Sequence, residues 1–112
     1  MIITITSIRL RSLWQFFKLS WNGLQITRQM QQQKGFIRMK NTGLGYMHYT
    51  LSAWESEADM KAFMRSGAHA EAMKESANIA TELATYTYEG DTLPEWKEAK
   101  QVIAEKGKVL RF

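Results

Sequence analysis

Residues 36–54 read FIRMKNTGLGYMHYTLSAW, and this stretch decides the fold. FIRMK (36–40) and YMHYTLSAW (46–54) are rich in β-branched and aromatic residues, the composition of strands. NTGLG between them supplies Asn41, Gly43 and Gly45, which suit a tight reversal. A β-hairpin is expected. Alternation along its second strand puts Tyr46, His48, Thr50, Ser52 and Trp54 on one face, and Met47, Tyr49, Leu51 and Ala53 on the other.

Working outward, residues 12–33 upstream carry a helical pattern. At roughly 100° per residue, Gln15, Lys18, Asn22, Gln25 and Gln29 fall in one narrow arc. Leu13, Trp14, Phe16, Phe17, Leu19, Trp21, Leu24, Ile26 and Met30 fill most of the rest of the wheel. So broad an apolar surface needs more than one sheet to cover it: a second helix, another subunit or a ligand. QQQKG ends the helix, with Gly35 as the expected C-cap. Ahead of it, IITITSI (2–8) is a strand with Thr4 and Thr6 on one face and Ile3 and Ile5 on the other.

Downstream, Ser56-Glu57-Ala58-Asp59 resembles a capping box with Asp in place of Glu or Gln. Met60, Phe63 and Met64 then line a short helix that stops near Gly67. A second short helix spans about 68–76 and carries His69 at its start. Residues 79–88 read as a strand. Pro94 suits the first turn of a helix, which faces Trp96, Ala99, Val102 and Ile103 inward and stops at Gly107. KVLRF closes the chain as a short strand or as a packed tail. The order is β-α-β-β-α(α)-β-α, and its first six elements are the ferredoxin-like βαββαβ arrangement. The expected fold class is therefore α+β, one domain over 1–112. It has a four-stranded antiparallel sheet, helices on one face and an extra C-terminal helix. The second sheet face would be left bare, and a homodimer that closes the sheets face to face, a dimeric α/β barrel, is the expected way to cover it.

The chain is 45% hydrophobic and 23% charged, with one Pro and no Cys. It is a globular composition without disulfides, thiolate metal sites or a cysteine nucleophile. The net charge of +4 is unevenly placed: seven cations and no acid precede Glu55, whereas all eleven Asp and Glu follow Trp54. An acid-free basic half points toward anionic partners. Its cations never form a run, however, and FIRMK lacks the aromatic signature of RNA-binding strands, so no nucleic acid is expected. The opening residues lack the basic region and cleavage site of a signal peptide, and the aromatic stretch 13–24 is too short for a span. No membrane span and a cytoplasmic location are expected.

YTLSAWESEADMKAFMRSGAHAEAM followed by TYTYEGDTLPEWKEAK resembles bacterial families of the dimeric α/β-barrel superfamily. The nearest resemblance is to small proteins of unassigned function, and a more distant one is to the antibiotic-biosynthesis monooxygenases and the spheroidene-type monooxygenases. The strand ending at Trp54, the capped helix with Phe63, the pair Gly67 and His69, and Met73 carry it. The resemblance implies a monooxygenase-like small oxygenase acting on a bulky aromatic or polyene substrate. His69 and Trp54 would be its catalytic residues, and a small hydrophobic or aromatic ligand its partner. The superfamily hosts several chemistries as well as non-catalytic binders, so a dimeric ligand-binding or stress-related module is the alternative reading. The Asn that the cofactor-independent members place on the opening strand is replaced by Thr4 and Thr6, and Asn41 reads as a turn residue.

His69 opens a helix, where the dipole disfavours imidazolium and leaves a neutral ring. His48 lines the pocket if its sheet face is the barrel lining and is core if it faces the helices. Tyr46, His48, Thr4, Thr6 and Trp14 are the expected pocket-lining set. Met47, Met60, Met64 and Met73 read as core filling that also suits an adaptable lining. No phosphate loop, metal cluster or catalytic triad is visible. No cofactor is expected; haem stays open because one axial imidazole is enough.

Overall fold

The computed structural model describes residues 1–65 and 67–112, and for 68–73 the backbone alone. Its elements run β1 (Ile2–Leu10), α1 (Gln15–Gln32), β2 (Phe36–Leu44), β3 (Met47–Trp54), α2 (Glu57–Met64), α3 (Gly67–Ile79), β4 (Ala80–Glu89), α4 (Trp96–Lys106) and β5 (Lys108–Arg111). The antiparallel sheet has the order β2-β3-β1-β4-β5. Its first four strands are the ferredoxin-like order with β1 and β3 inside. The fifth is a correction to the expected four: Lys108–Arg111 pairs with β4, Glu82 opposite Arg111 through Thr85 opposite Lys108. A Glu82–Arg111 ion pair at 3.6 Å closes its end.

The hairpin also differs from expectation. β2 runs on through Asn41, Thr42 and Gly43 to Leu44, and the reversal is made by Gly45 and Tyr46. Gly45 takes φ +64°, and Gly43 has no room for a Cβ beside the His48 ring. Asn and Gly read as a turn, yet here cross-strand pairing with β3 outweighs local preference. Gly35 is likewise not the cap of α1. That helix ends at Gln33, whose N–H bonds the Met30 carbonyl, and Gly35 makes the following left-handed bend (φ +83°) against the Asp59 side chain. The N-cap half of the capping motif of α2 forms as read, with Ser56 Oγ accepting from Asp59 N–H at 3.2 Å; the shorter Asp59 carboxylate takes its bond from the Ser56 hydroxyl, Oδ2 at 3.0 Å.

Helices α1, α2 and α3 sit on the sheet face that carries Thr4, Thr6, Ser52 and Trp54. The opposite face is not bare, as the sequence implies. Ile5, Leu51 and Ala84 pack there against Ala99 and Ile103 of α4, with Tyr49, Tyr86, Tyr88 and Trp96 around them. The C-terminal helix therefore takes over part of the covering assigned to a second subunit. Burial, then the Glu98 carboxylate, then Tyr86, raises the Tyr88 phenol above the ordinary 10.0. A raised pKa stabilises the fold fully below the unfolded value and is lost as pH climbs through the folded one. Alkaline titration of unfolding should show wild type losing stability above pH 10 by a component that Tyr88→Phe lacks.

The polar arc of α1 is divided: Gln29 lies against α3, where a Cβ at Gly67 would press on its amide, while Lys18 is exposed and Asn22 lines the space under the helix. Its apolar surface then splits. Leu19, Ile26 and Met30 face the sheet, while Trp14, Phe17, Trp21 and Leu24 stay exposed. No helix is long and apolar enough to cross a membrane, among the described residues.

Candidate functional site

Between the sheet and α1–α3 lies a cavity of about 200 Å³. Its floor comes from strand register. Thr85, Thr6, Thr50 and Asn41 stand side by side across β4, β1, β3 and β2, and Thr4 and Ser52 extend the floor in the neighbouring row, beside the exposed Thr87. Thr4 and Thr87 share a hydroxyl hydrogen bond of 3.0 Å. The roof is apolar, made of Leu19, Ile26 and Met30 from α1 and Met60, Phe63 and Met64 from α2. Trp54 forms the end wall. It is 1% exposed, with Phe63 at 5.1 Å and Phe36 at 5.7 Å between ring centroids, and its Nε1 donates to Ser52 Oγ at 3.2 Å.

Into this roof α1 inserts an amide. Asn22 Nδ2 is buried and has no hydrogen-bond partner among the described residues. A buried donor left unmade costs about 1–3 kcal/mol, so such groups are rare and call for a reason. Gly23, next to it, lines the same cavity, and a Cβ there would meet nothing within 4 Å. Glycine in a helix costs about 0.5–1 kcal/mol relative to alanine, and here no packing requires it. Asn-Gly in mid-helix therefore sacrifices helix stability at the point where the cavity opens. Gly23→Ala is expected to stabilise the protein by that same ~0.5–1 kcal/mol in urea unfolding.

Among the described lining residues there is no Asp, Glu, His, Lys, Arg or Tyr. Nor do the described residues bring together three His, Cys, Asp or Glu that could hold a metal ion. The chemistry on offer is a hydroxyl floor, two amides, an indole and methionine sulfurs. That set suits an uncharged, flat, apolar molecule with one oxygen for the Asn22 amide to meet.

Of the five residues expected to line a pocket, Thr4 and Thr6 line this cavity, as does Trp54, which was expected as a catalytic residue. Tyr46, His48 and Trp14 are outside its lining. Tyr46 is in the hairpin turn, and its carbonyl accepts from Leu10 N–H at 2.8 Å. His48 lies under Phe16, with 5.5 Å between ring centroids, and donates from Nε2 to the Gly45 carbonyl at 3.0 Å. Trp14 is 80% exposed at the start of α1. His69 and Met73 fall on side chains outside the described residues. Of the methionines singled out, Met60 and Met64 line the cavity, together with Met30 and Met39. Asn41 is not a turn residue but part of the floor. Asn22 was not recognisable as a site residue beyond its place in the polar arc of α1; the one signal was an unfavourable Asn-Gly pair inside a helix.

No protein-family model matches the chain, and no curated protein matches it in sequence. Solved structures do match. SnoaB from Streptomyces nogalater, a cofactor-independent oxygenase, superposes with a TM-score of 0.67 at 11% identity, covering 84% of this chain and 97% of that one. A protein from Nitrosomonas europaea ascribed to the antibiotic biosynthesis monooxygenases gives a TM-score of 0.72 at 14% identity, covering 82% and 100%. Rv0793 from Mycobacterium tuberculosis gives 0.74 at 9%, covering 84% and 98%. The chain thus has the ferredoxin-like fold of the antibiotic-biosynthesis-monooxygenase-like proteins. At these identities the likeness is one of fold.

Proposed function

We propose that the chain binds a small, neutral, hydroxylated aromatic molecule in the cavity under α1 and oxygenates it without a cofactor. One observation carries this reading: a buried amide donor, Asn22 Nδ2, stands without a partner in a cavity otherwise lined by apolar side chains and hydroxyls. The fold shared with SnoaB supports the oxygenase part. The cavity, about 200 Å³, is somewhat larger than the ~150 Å³ void that accepts benzene. One or two fused rings match it, so the substrate class narrows from bulky arenes and polyenes to bicyclic arenes.

The substrate proposed here brings its own reactivity. A two-ring hydroquinone does so: its electron-rich ring carbon gives up hydrogen and takes one atom of O₂. The ring is oxidised to a hydroxyquinone, and the second oxygen atom leaves as water. The substrate supplies every electron. Asn22 would hold the phenolic oxygen as negative charge grows on it, and such a preorganised donor is the usual source of stabilisation for an oxyanion.

A second reading is a non-catalytic binder: the one unpartnered donor among the described residues, Asn22 Nδ2, can hold a ligand oxygen without any reaction. Incubation of naphthohydroquinone with isotopically labelled O₂ separates the two. The oxygenase reading expects one labelled atom in the hydroxyquinone, formed faster than by autoxidation and no faster than autoxidation with Asn22→Leu. Binding without labelled product would leave the binder. A homodimer is part of either reading, through Val109, Leu110 and Phe112, which are exposed on β5 and just beyond it. Sedimentation equilibrium tests it.

A further inference from the structure

The exposed side of α1 has an order that the cavity does not explain. Trp14, Phe17, Trp21 and Leu24 recur at three- and four-residue spacing, which stacks them along one line of the helix. Trp14 is 80% exposed, Phe17 68% and Trp21 61%. Lys18 and Arg28, both exposed, flank the line, and Arg9 and Arg11 lie exposed just before the helix. No Asp or Glu occurs before Glu55. The other side of the same helix, through Leu19, Asn22 and Ile26, lines the cavity.

We infer that this face of α1 docks on an anionic lipid bilayer, lying in the interface rather than crossing it. Tryptophan and phenylalanine prefer the boundary between headgroups and acyl chains, and an amphipathic helix edged with Lys and Arg binds anionic lipid through both its apolar face and its charges. Charge chooses the bilayer over a second copy of the chain. A two-fold contact sets a surface against itself, so it would bring Lys18 and Arg28 up to the same cations of the other copy. An anionic surface meets the same cations with opposite charge. The inference stands apart from the oxygenase reading, because it rests on the outer face of α1 alone.

The test is co-sedimentation of the full chain with vesicles of phosphatidylcholine alone and of phosphatidylcholine containing one third phosphatidylglycerol, read together with tryptophan emission. Binding is expected to the mixed vesicles only, with a blue shift, and is expected to weaken at high salt. Lys18→Gln and Arg28→Gln should each weaken it about fivefold. The double variant Trp14→Ser with Trp21→Ser should weaken it by about tenfold or more and abolish the blue shift. Both tryptophans are exposed, so the thermal midpoint should not move; if it does, quenching of the wild-type tryptophans by brominated lipid gives the same answer without a variant. The inference is overturned if the chain stays in the supernatant, if it binds both vesicle types equally, or if it forms a dimer in which Trp14 and Trp21 are buried.

Discussion

Trp54→Ala is expected to cost about 3–5 kcal/mol, the range for deleting a buried large aromatic. That is a large share of the ~5–15 kcal/mol that holds a domain of this size together. The indole is 1% exposed and packs on Met30, Met60 and Phe63, so its removal opens the end wall of the cavity and loosens α1 and α2 from the sheet together. Urea unfolding measures the loss. Trp54→Phe is expected to cost less: it keeps a smaller ring between Phe36 and Phe63, and gives up part of the packing together with the bond to Ser52 Oγ, itself worth about 0.5–1.5 kcal/mol. A Trp54→Ala variant that lost less than about 1 kcal/mol would mean that the wall is not part of the core.

Asn22→Leu is expected to move stability and binding in opposite directions. Leucine is close in shape and leaves no polar atom unpaired, so removal of the orphan amide should raise stability by about 1–3 kcal/mol. Helix propensity alone would give no more than about 0.5 kcal/mol. Affinity for a neutral hydroxylated arene should fall by about 0.5–1.5 kcal/mol, roughly two- to tenfold, the range for a hydrogen bond between uncharged groups. A residue that costs stability and confers function is the pattern expected of a binding site. Thermal unfolding and fluorescence titration of the same preparation read both effects. Loss of stability with unchanged affinity would make Asn22 a structural residue.

The element order could be read from the residues because period and punctuation agree over most of the chain. A β-branched run gives β1, alternation with aromatic residues gives β3, the apolar wheel gives α1, and Ser56 with Asp59 marks the start of α2. The reading stopped where tertiary pairing overrides local preference. Asn41 and Gly43 look like a turn, and only the register with Thr50 and His48 makes them strand. The KVLR segment is too short and too charged to announce itself, and pairing with β4 is what makes it a fifth strand. Strand parity placed Thr4, Thr6 and Trp54 on one face, but parity gives the face and not the distance along it. His48 shares that face with Trp54 yet sits under Phe16, away from the cavity. The helical wheel divided α1 into polar and apolar arcs, yet could not say which apolar residues the sheet would cover. For the same reason Asn22 read as solvated: its arc is polar, and only the packing of α1 on the sheet turns its amide inward.

Amide NMR during titration with naphthohydroquinone under argon tests most directly whether the space beneath α1 is where the protein meets its ligand. Saturable shifts confined to the backbone of Thr4, Thr6, Asn22, Gly23 and Ser52 and to the Trp54 indole N–H are predicted. Shifts that map to α4 and the second sheet face, or no saturable shifts at all, would contradict it.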